Sequence, residues 1–392
     1  MLLLGITSLL GDVSSEMVVP LLPAFLVAIG GSAEALGIIE GAGEATANLF
    51  KYLSGRWADR ARRLLPLAVV GYAIAGAVRP LLALARVPGH VFAVRCTDRI
   101  GKGIRTSPRD KLLAASAAPE RLAEAYAFHR GMDHFGAAVG PLIAATLLLR
   151  WPERFRLVFA LAAVPGALAI AALFALRENS EPRAESAARG AALDAQPSPT
   201  DRVPVDPLTP IGMPSRLLVP IFFFTLGNST DALLLLRAQG LGVRTAMLPM
   251  VWTLLHVVRA ASSWPLGRAA DRFGRRKALT AGWAWYAICY FGFALAKAPW
   301  HAWALFAAYG LVAGLTEGSE RALVAASVPE RRRGRALGVY NLVSGAGLLV
   351  ASVLAGELWD HVSPAAALAS GAALATAAAL LLQTRASAPQ PG

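Results

Sequence analysis

The stretch GRWADRARRLLPL at residues 55–67 returns as GRAADRFGRRKAL at 267–279, an offset of 212. A second stretch, RDKLLAASAAPER at 109–121, returns as SERALVAASVPER at 319–331, an offset of 210. Two matches at nearly one offset, each following the corresponding apolar run of its half, mark an internal duplication. Around these polar segments the chain is a succession of apolar runs. The first set falls near 2–29, 33–54, 64–86, 90–116, 122–149 and 155–176, and the second near 216–237, 241–264, 278–297, 299–327, 334–357 and 363–384. Each run is close to, or longer than, the ~20 residues that a bilayer-spanning helix needs.

Composition agrees with that reading. Of 392 residues, 56% are hydrophobic and only 16% charged, and mean hydropathy is positive. Soluble domains run near ~45–50% apolar and ~25% charged. Twelve spanning helices take about 260 residues and leave about 130 for loops and one linker. An ordinary soluble enzyme, a disulfide-rich secreted domain and a disordered chain are thereby excluded. The expected fold is an all-α integral membrane protein, with twelve transmembrane helices in two six-helix parallel repeats. Repeats related by an axis along the membrane normal are an architecture of secondary transporters.

The expected organisation is an N-terminal six-helix bundle (1–177), a linker (178–215) and a C-terminal six-helix bundle with a short tail (216–392). The segment 178–216 holds seven prolines among Ser, Ala, Asp and Glu and no apolar period, a composition that buries too little surface to order itself. Met1 opens directly into an apolar run. That run is too long for the core of a signal peptide and lacks an AxA-like cleavage site, so it reads as a first membrane helix. Cys96 and Cys289 lie far apart, with neither CxxC nor metal-ligand spacing, and read as small buried hydrophobes.

The net charge of +13, from 38 basic and 25 acidic residues, would raise the question of nucleic acid in a soluble chain. In a membrane protein it reflects basic cytoplasmic loops instead. One side carries Arg56, Arg60, Arg62, Arg63, Arg121, Arg268, Arg272, Arg275, Arg276, Lys277, Arg331, Arg332, Arg333 and Arg335. The other carries Arg86, Arg150, Arg154, Arg156, Arg237, Arg244 and Lys297. The split of 14 against 7 puts the first side, both termini and the linker in the cytoplasm.

These motifs make the chain resemble a transporter of the Major Facilitator Superfamily (MFS), over all but the linker and the last few residues. The superfamily's loop motif between its second and third helices reads roughly G-x-L-a-D-r-x-G-r-k. Gly55, Ala58, Asp59 and Arg60 match it, with Arg62 in place of the second glycine. The copy made by Gly267, Ala270, Asp271, Arg272, Gly274, Arg275, Arg276 and Lys277 is complete. The resemblance implies that the acid caps a neighbouring helix and gates the cytoplasmic side, where a carboxylate meets unpaired N–H groups. In the fourth helix Arg99, Lys102 and Gly103 occupy the places of a second family motif, with Arg105 where a small residue is usual. In the fifth, Gly136, Gly140 and Pro141 match the antiporter motif G-x-x-x-G-P-x-x-G-G, with Ala144 and Ala145 replacing the last glycines. Small residues four apart let helices approach closely, and in this resemblance they favour efflux by antiport. LLGDVSSEMVVPLLPAF (9–25) and DRIGKGIRTSPRD (98–110) look like a prokaryotic group of the superfamily, which implies no particular substrate.

Ionisable residues inside spans are costly and face bundle interiors, pairing or serving function. Asp12 and Glu16 lie four apart on the first helix, as do Glu40 and Glu44 on the second, hence on one face in each case. The fourth carries a stripe of Arg95, Asp98, Arg99, Lys102, Arg105 and Arg109. The fifth carries His129, Arg130, Asp133 and His134. Asn228 and Asp231 fall in the seventh helix, His256 and Arg259 in the eighth, and Glu317, Glu320 and Arg321 in the tenth. The resemblance implies that helices one, four, seven and ten line a central cavity. Proton coupling is therefore expected at Asp12, Glu16 and Asp133, with Arg95, Asp98, Arg99, Lys102, His129, Arg130, Asn228, Asp231 and Glu317 around the substrate. The paired positions Asp110/Lys111 and Glu320/Arg321 suit a latch between halves.

HExxH, GxSxG and GxxxxGK[ST] patterns are absent from the sequence, so neither an enzyme nor an ATP-driven pump is expected. The expectation is a multi-pass monomer of a prokaryotic inner membrane, without cofactor, metal or nucleic acid, whose partners are the lipid bilayer, a small-molecule substrate and protons or another coupling ion. It would export small organic compounds by alternating access. An organic or inorganic anion carrier using the fourth-helix stripe is the rival, since arginine forks suit carboxylate and phosphate. A non-transporting receptor or sensor on the same scaffold is the rival from another class.

Overall fold

A computed structural model describes residues 1–61, 63–116, 122–176, 215–328 and 333–384. Arg62, Arg121, Arg331, Arg332, the linker 178–214 and the side chains of Asp59, Arg333 and Arg335 lie outside what it describes. The described residues form helices and no strand, and each apolar run becomes one rod. In the first half these are α1 (Leu2–Glu16, continued by Val19–Leu21 and Leu22–Ala28), α2 (Ala33–Arg60), α3 (Leu65–Val78 with Arg79–Leu84), α4 (Pro88–Ala115), α5 (Leu122–Arg150) and α6 (Phe155–Leu161 with Ala163–Phe174). The second half repeats the series as α7 (Ser215–Gly227 with Asp231–Gly240), α8 (Leu248–Phe273), α9 (Arg275–Leu295), α10 (Pro299–Ala326), α11 (Arg333–His361) and α12 (Pro364–Thr384).

Local sequence sets the helix ends. Ser32 accepts the Ala35 N–H at 3.1 Å and starts α2. Prolines at the first turns of α4, α8, α10 and α12 need no donor there. Gly274, at φ 102°, turns the chain from α8 straight into α9, a conformation that side chains with a Cβ avoid.

Eight rods are long and apolar enough to cross a bilayer, and α2, α4, α8 and α10 fall short. The shortfall has a physical cause on α2 and α4, because their charges face inward. Asp98 is 1% exposed and Arg95 3%, while Phe174 on α6 is 74% exposed. The molecule thus keeps charge inside and apolar surface outside, as a protein dissolved in lipid must.

The halves meet along two related contacts, α2 against α11 and α5 against α8, which a shift of six helices exchanges. One end of the bundle is made of short turns (29–32, 85–87, 151–154, 241–247, 296–298, 362–363), and the other, the basic end, carries Arg60, Arg268, Arg272 and Arg275. Near the short-turn end a side chain at Gly37 would strike the Ser352 carbonyl, and Cβ atoms at Gly356 and Gly41 would lie 2.6 Å and 2.9 Å from the Cα atoms of Glu34 and Leu349. Further along, the approach passes to side chains: Gly345 meets the Asn48 amide, and Gly338 reaches only the Tyr52 ring, at 4.0 Å. The two helices therefore diverge from the short-turn end towards the basic end. One apolar core also crosses the boundary near the short-turn end, where Leu233 and Ala355 join Leu22, Leu36 and Ile39.

Candidate functional site

The candidate acids of α1 occupy successive turns with Ser8, and α5 lies directly on them. Cβ atoms at Gly136 and Gly140 would sit 2.6 Å from the carbonyl oxygens of Leu9 and Val13, and 3.1 Å and 3.0 Å from the Cβ atoms of Asp12 and Glu16. The two glycines of the GxxxGP motif thus bring the α5 backbone against the α1 acids. One turn earlier, the Ser8 hydroxyl donates to Asp133 Oδ1 at 2.6 Å and accepts from Arg109 Nη1 at 3.0 Å. His129 Nδ1 stands 3.5 Å from Asp133 Oδ2. Arg105 lies 3.7 Å from Asp12, with its guanidinium 4.2 Å above the Tyr72 ring.

The α4 stripe exists, and all of it but Lys102 is paired. Arg95 forks onto Glu40, with Nε to Oε1 at 2.8 Å and Nη2 to Oε2 at 2.6 Å. Arg99 pairs with Glu44 at 2.9 Å and approaches Glu40 at 3.7 Å. Asp98 accepts from Arg79 Nε at 2.7 Å and lies 3.6 Å from Arg95. Arg79 also donates to the Gly11 carbonyl at 3.0 Å, tying α3 to α1. The cations Arg79, Arg95, Arg99, Lys102, Arg105 and Arg109 are interleaved here with the carboxylates Asp12, Glu40, Glu44, Asp98, Asp110 and Asp133. Lys102 has no salt-bridge partner among the described residues. A buried charge is tolerated when it is paired and hydrogen-bonded, which explains why so polar a helix survives inside the bundle.

In the second half the chemistry gathers at a broken helix. α7 stops at Gly227 and restarts at Asp231, with Thr230 accepting the Ala232 N–H at 3.3 Å. The break frees carbonyls that tyrosines of α9 satisfy: the Tyr286 hydroxyl donates to Gly227 O at 3.0 Å and the Tyr290 hydroxyl to Ser229 O at 3.4 Å. Asp231, in the first turn of the restarted helix, accepts from Arg259 of α8 at 2.8 Å and from the Tyr309 hydroxyl of α10 at 2.7 Å. Asn228 lies within the break. The two halves touch chemically at Glu16, whose Oε2 accepts the Trp252 indole N–H of α8 at 2.8 Å. Beside it, the Trp252 ring meets His256 edge-on at 5.1 Å. Arg130 and Glu317 are exposed and His129 is buried.

At the basic end Asp271 accepts from Arg275 Nε at 2.9 Å, across the Gly274 turn. Gly267 lies in α8 and Arg272 in its last turn. Gly55 and Arg60 lie in the last turns of α2. Among the four positions expected to latch the halves, the acids make these described contacts. Asp110 accepts from Arg109 at 3.0 Å, and Glu320 accepts from the Tyr340 hydroxyl of α11 at 2.6 Å. Each of these bonds lies within one half. Their chain neighbours differ in setting: Lys111 is half-buried near the end of α4, and Arg321 is exposed on α10. Cys96 is only half-buried, unlike Cys289.

The sequence reading did not single out Arg79, Ser8, Trp252, Tyr286, Tyr290, Tyr309 or Tyr340. Arg79 carried a signal, a lone cation inside the apolar run 64–86. The aromatic donors carried none, because a tyrosine in an apolar helix looks the same whether or not its hydroxyl has a buried partner.

The model of the Major Facilitator Superfamily matches residues 4–258 and 221–392 of the chain. An uncharacterised MFS-type transporter of Methanocaldococcus jannaschii is 31% identical over 389 residues, 97% of this chain and 93% of the relative. Among solved structures, the nucleoside transporter NupG superposes with a TM-score of 0.78 at 13% identity, covering 99% of both chains. A POT family transporter in complex with a thioalcohol-conjugated peptide gives 0.76 at 12% identity, over 97% of this chain and 95% of that one. At these identities the structural likeness concerns the fold.

Proposed function

Because the chain belongs to the Major Facilitator Superfamily, we propose that it exports small organic compounds across a prokaryotic cytoplasmic membrane in exchange for protons. The basic end and both termini then face the cytoplasm, and 1–177 and 216–392 are the two rocking units joined by 178–215. The observation that carries the reading is the Asp12–Glu16–Asp133 group. It lies where α1 and α5 are in closest contact, is countered by Arg105 and Arg109, and reaches the other half through Glu16 and Trp252. A proton arriving at Glu16 removes the charge that accepts the indole N–H, one arriving at Asp12 weakens its hold on Arg105, and one arriving at Asp133 disturbs the Ser8 hydroxyl that links it to Arg109. The first event weakens a contact between the two halves, and the others loosen the packing of α1 against α4 and α5 beside it, which ties proton arrival to the conformational balance. In the other half, Asn228, Asp231, Arg259 and Tyr309, gathered at the α7 break, offer donors and acceptors to a cargo.

Reconstituted protein tests this. A thermal-shift screen with lipophilic cations, organic anions and sugars at pH 5.5 and 7.5 finds cargo, since a ligand at 100 times its Kd adds about 2.7 kcal/mol to the folded state. In proteoliposomes, Glu16→Gln and Asp133→Asn should keep exchange of that cargo but lose its accumulation against a proton gradient. Full gradient-driven accumulation in the triple variant Asp12→Asn, Glu16→Gln, Asp133→Asn refutes the coupling.

One observation favours the anion carrier: Lys102, alone on the α4 stripe, has no salt bridge among the described residues. Under that reading anions alone stabilise the protein, and Arg99→Ala or Lys102→Met abolishes their binding. An exporter of organic cations keeps binding in both variants. Ligand binding without movement of any solute would instead support a receptor.

A further inference from the structure

Where α2 begins, it is held against α11 of the other half by two devices. The Asp360 carboxylate caps it, accepting the Ala33 N–H at 3.2 Å and the Glu34 N–H at 2.7 Å. Gly356 lets the backbones touch, since a Cβ there would lie 2.6 Å from Glu34 Cα. Both fix the position of Glu34 relative to α11, and the cap engages both oxygens of Asp360. The neighbouring side chains Glu357 and His361, one turn apart on the same face, are not used in that way. Glu357 Oε2 and His361 Nε2 are 3.5 Å apart, and one ligand atom from each of Glu34, Glu357 and His361 lies within 4.8 Å of the other two.

An exposed His–Glu pair on a helix contributes little to stability by itself. The third group, arriving from the other half, changes its meaning. Two donors bound about 2.1 Å from a tetrahedral ion stand about 3.4 Å apart, the spacing already present between Glu357 and His361. One imidazole and two carboxylates form a mixed nitrogen and oxygen set suited to zinc and similar dications, with a fourth position left for water. Closing the third side means drawing a Glu34 carboxylate oxygen in from within 4.8 Å to about 3.4 Å of the other two donors.

We propose that Glu34, Glu357 and His361 form a site for a divalent transition-metal ion that bridges the two halves at the short-turn end and holds that end shut. The ligand set is complete only while α2 and α11 touch. An ion bound there therefore favours the conformation closed at this end, whatever the cargo, and slows any cycle that must open it. The binding site stands apart from the coupling group and does not depend on it.

The experiment uses full-length, tag-free protein in detergent with Zn2+ as the probe and Mg2+ as the comparison. Isothermal titration should give one zinc site per chain. Glu357→Gln, His361→Ala and Glu34→Gln should each weaken it at least tenfold, while His90→Ala leaves it unchanged. X-ray absorption at the zinc edge should report one imidazole with oxygen ligands. Spin labels on Val27 and Val362, in a Cys96→Ala, Cys289→Ala background, should show zinc narrowing the distance distribution across the short-turn end. The apo melting temperature of each variant checks that it is folded. Failure of the wild-type chain to bind zinc at micromolar concentration overturns the proposal. So does binding that survives His361→Ala. Binding that survives Glu34→Gln with no zinc effect on the distances means a one-helix site and overturns the bridge.

Discussion

Gly37→Ala tests how closely the halves approach near the short-turn end. A Cβ at this position lands on the Ser352 carbonyl oxygen, a backbone atom that no rotamer change can move. The neighbouring contacts at Gly41 and Gly356, 2.9 Å and 2.6 Å from backbone Cα atoms, leave no slack on either side. Accommodating one extra methyl in a closely packed contact costs about 1–3 kcal/mol. That cost falls only on the conformation in which α2 and α11 touch here. Since about 1.4 kcal/mol corresponds to a tenfold change in an equilibrium, the population should move about 5- to 150-fold towards the form open at the short-turn end. Double electron–electron resonance between labels on Val27 and Val362 reads this directly, as a longer component absent from the parent. Gly338→Ala is the matched control, because a Cβ there first meets the Tyr52 ring at 4.0 Å. If Gly37→Ala leaves both the distance distribution and the melting temperature as in the control, the close approach is not a feature of the resting state and the reasoning fails.

Two further perturbations address the interior. Glu40→Gln removes the charge from the carboxylate that Arg95 grips with two bonds and Arg99 approaches, leaving Arg95 only the longer contact with Asp98. A loss of about 1.5–3 kcal/mol is expected, visible as a drop in melting temperature larger than that of an exposed control such as Glu153→Gln. Tyr286→Phe removes the donor to the Gly227 carbonyl at the α7 break, for an expected loss of about 1–3 kcal/mol. An unchanged melting temperature would mean that the break is satisfied in another way.

Much of this fold was legible because the bilayer imposes a length and a polarity on every span. Twelve apolar runs became twelve rods, and the repeated polar segments gave the two halves. The breaks in α1 and α7 were not legible. Asn228 and Asp231 were noticed as polar residues in a span, but nothing in their spacing says that the helix stops between them. That depends on Tyr286 and Tyr290 reaching across from α9. The same limit applies to the stripe on α4. The sequence places Arg95 and Arg99 on one face, yet their partners on α2 are more than fifty residues away, and the fork on Glu40 is a fact of packing. By contrast, the GxxxGP motif predicted tight packing, and the glycines do sit against α1. What the motif could not name was the contents of that contact, the two acids. At the basic end, Gly274 explains why the second-half loop copy keeps its glycine: the turn has positive φ. The matching position, Arg62, lies outside the described residues.

The pairing of α4 also bears on how the protein is made. Arg95, Asp98, Arg99, Lys102, Arg105 and Arg109 would each cost about 2.5–3.5 kcal/mol at the centre of an isolated span. α4 therefore cannot partition into lipid as a single helix leaving the translocon. It can enter only alongside the segments that carry its counter-charges, Glu40 and Glu44 on α2, Arg79 on α3 and Asp12 on α1. All of these are synthesised before it. The order of the chain thus delivers these partners ahead of α4, so α1–α4 are expected to enter the membrane together.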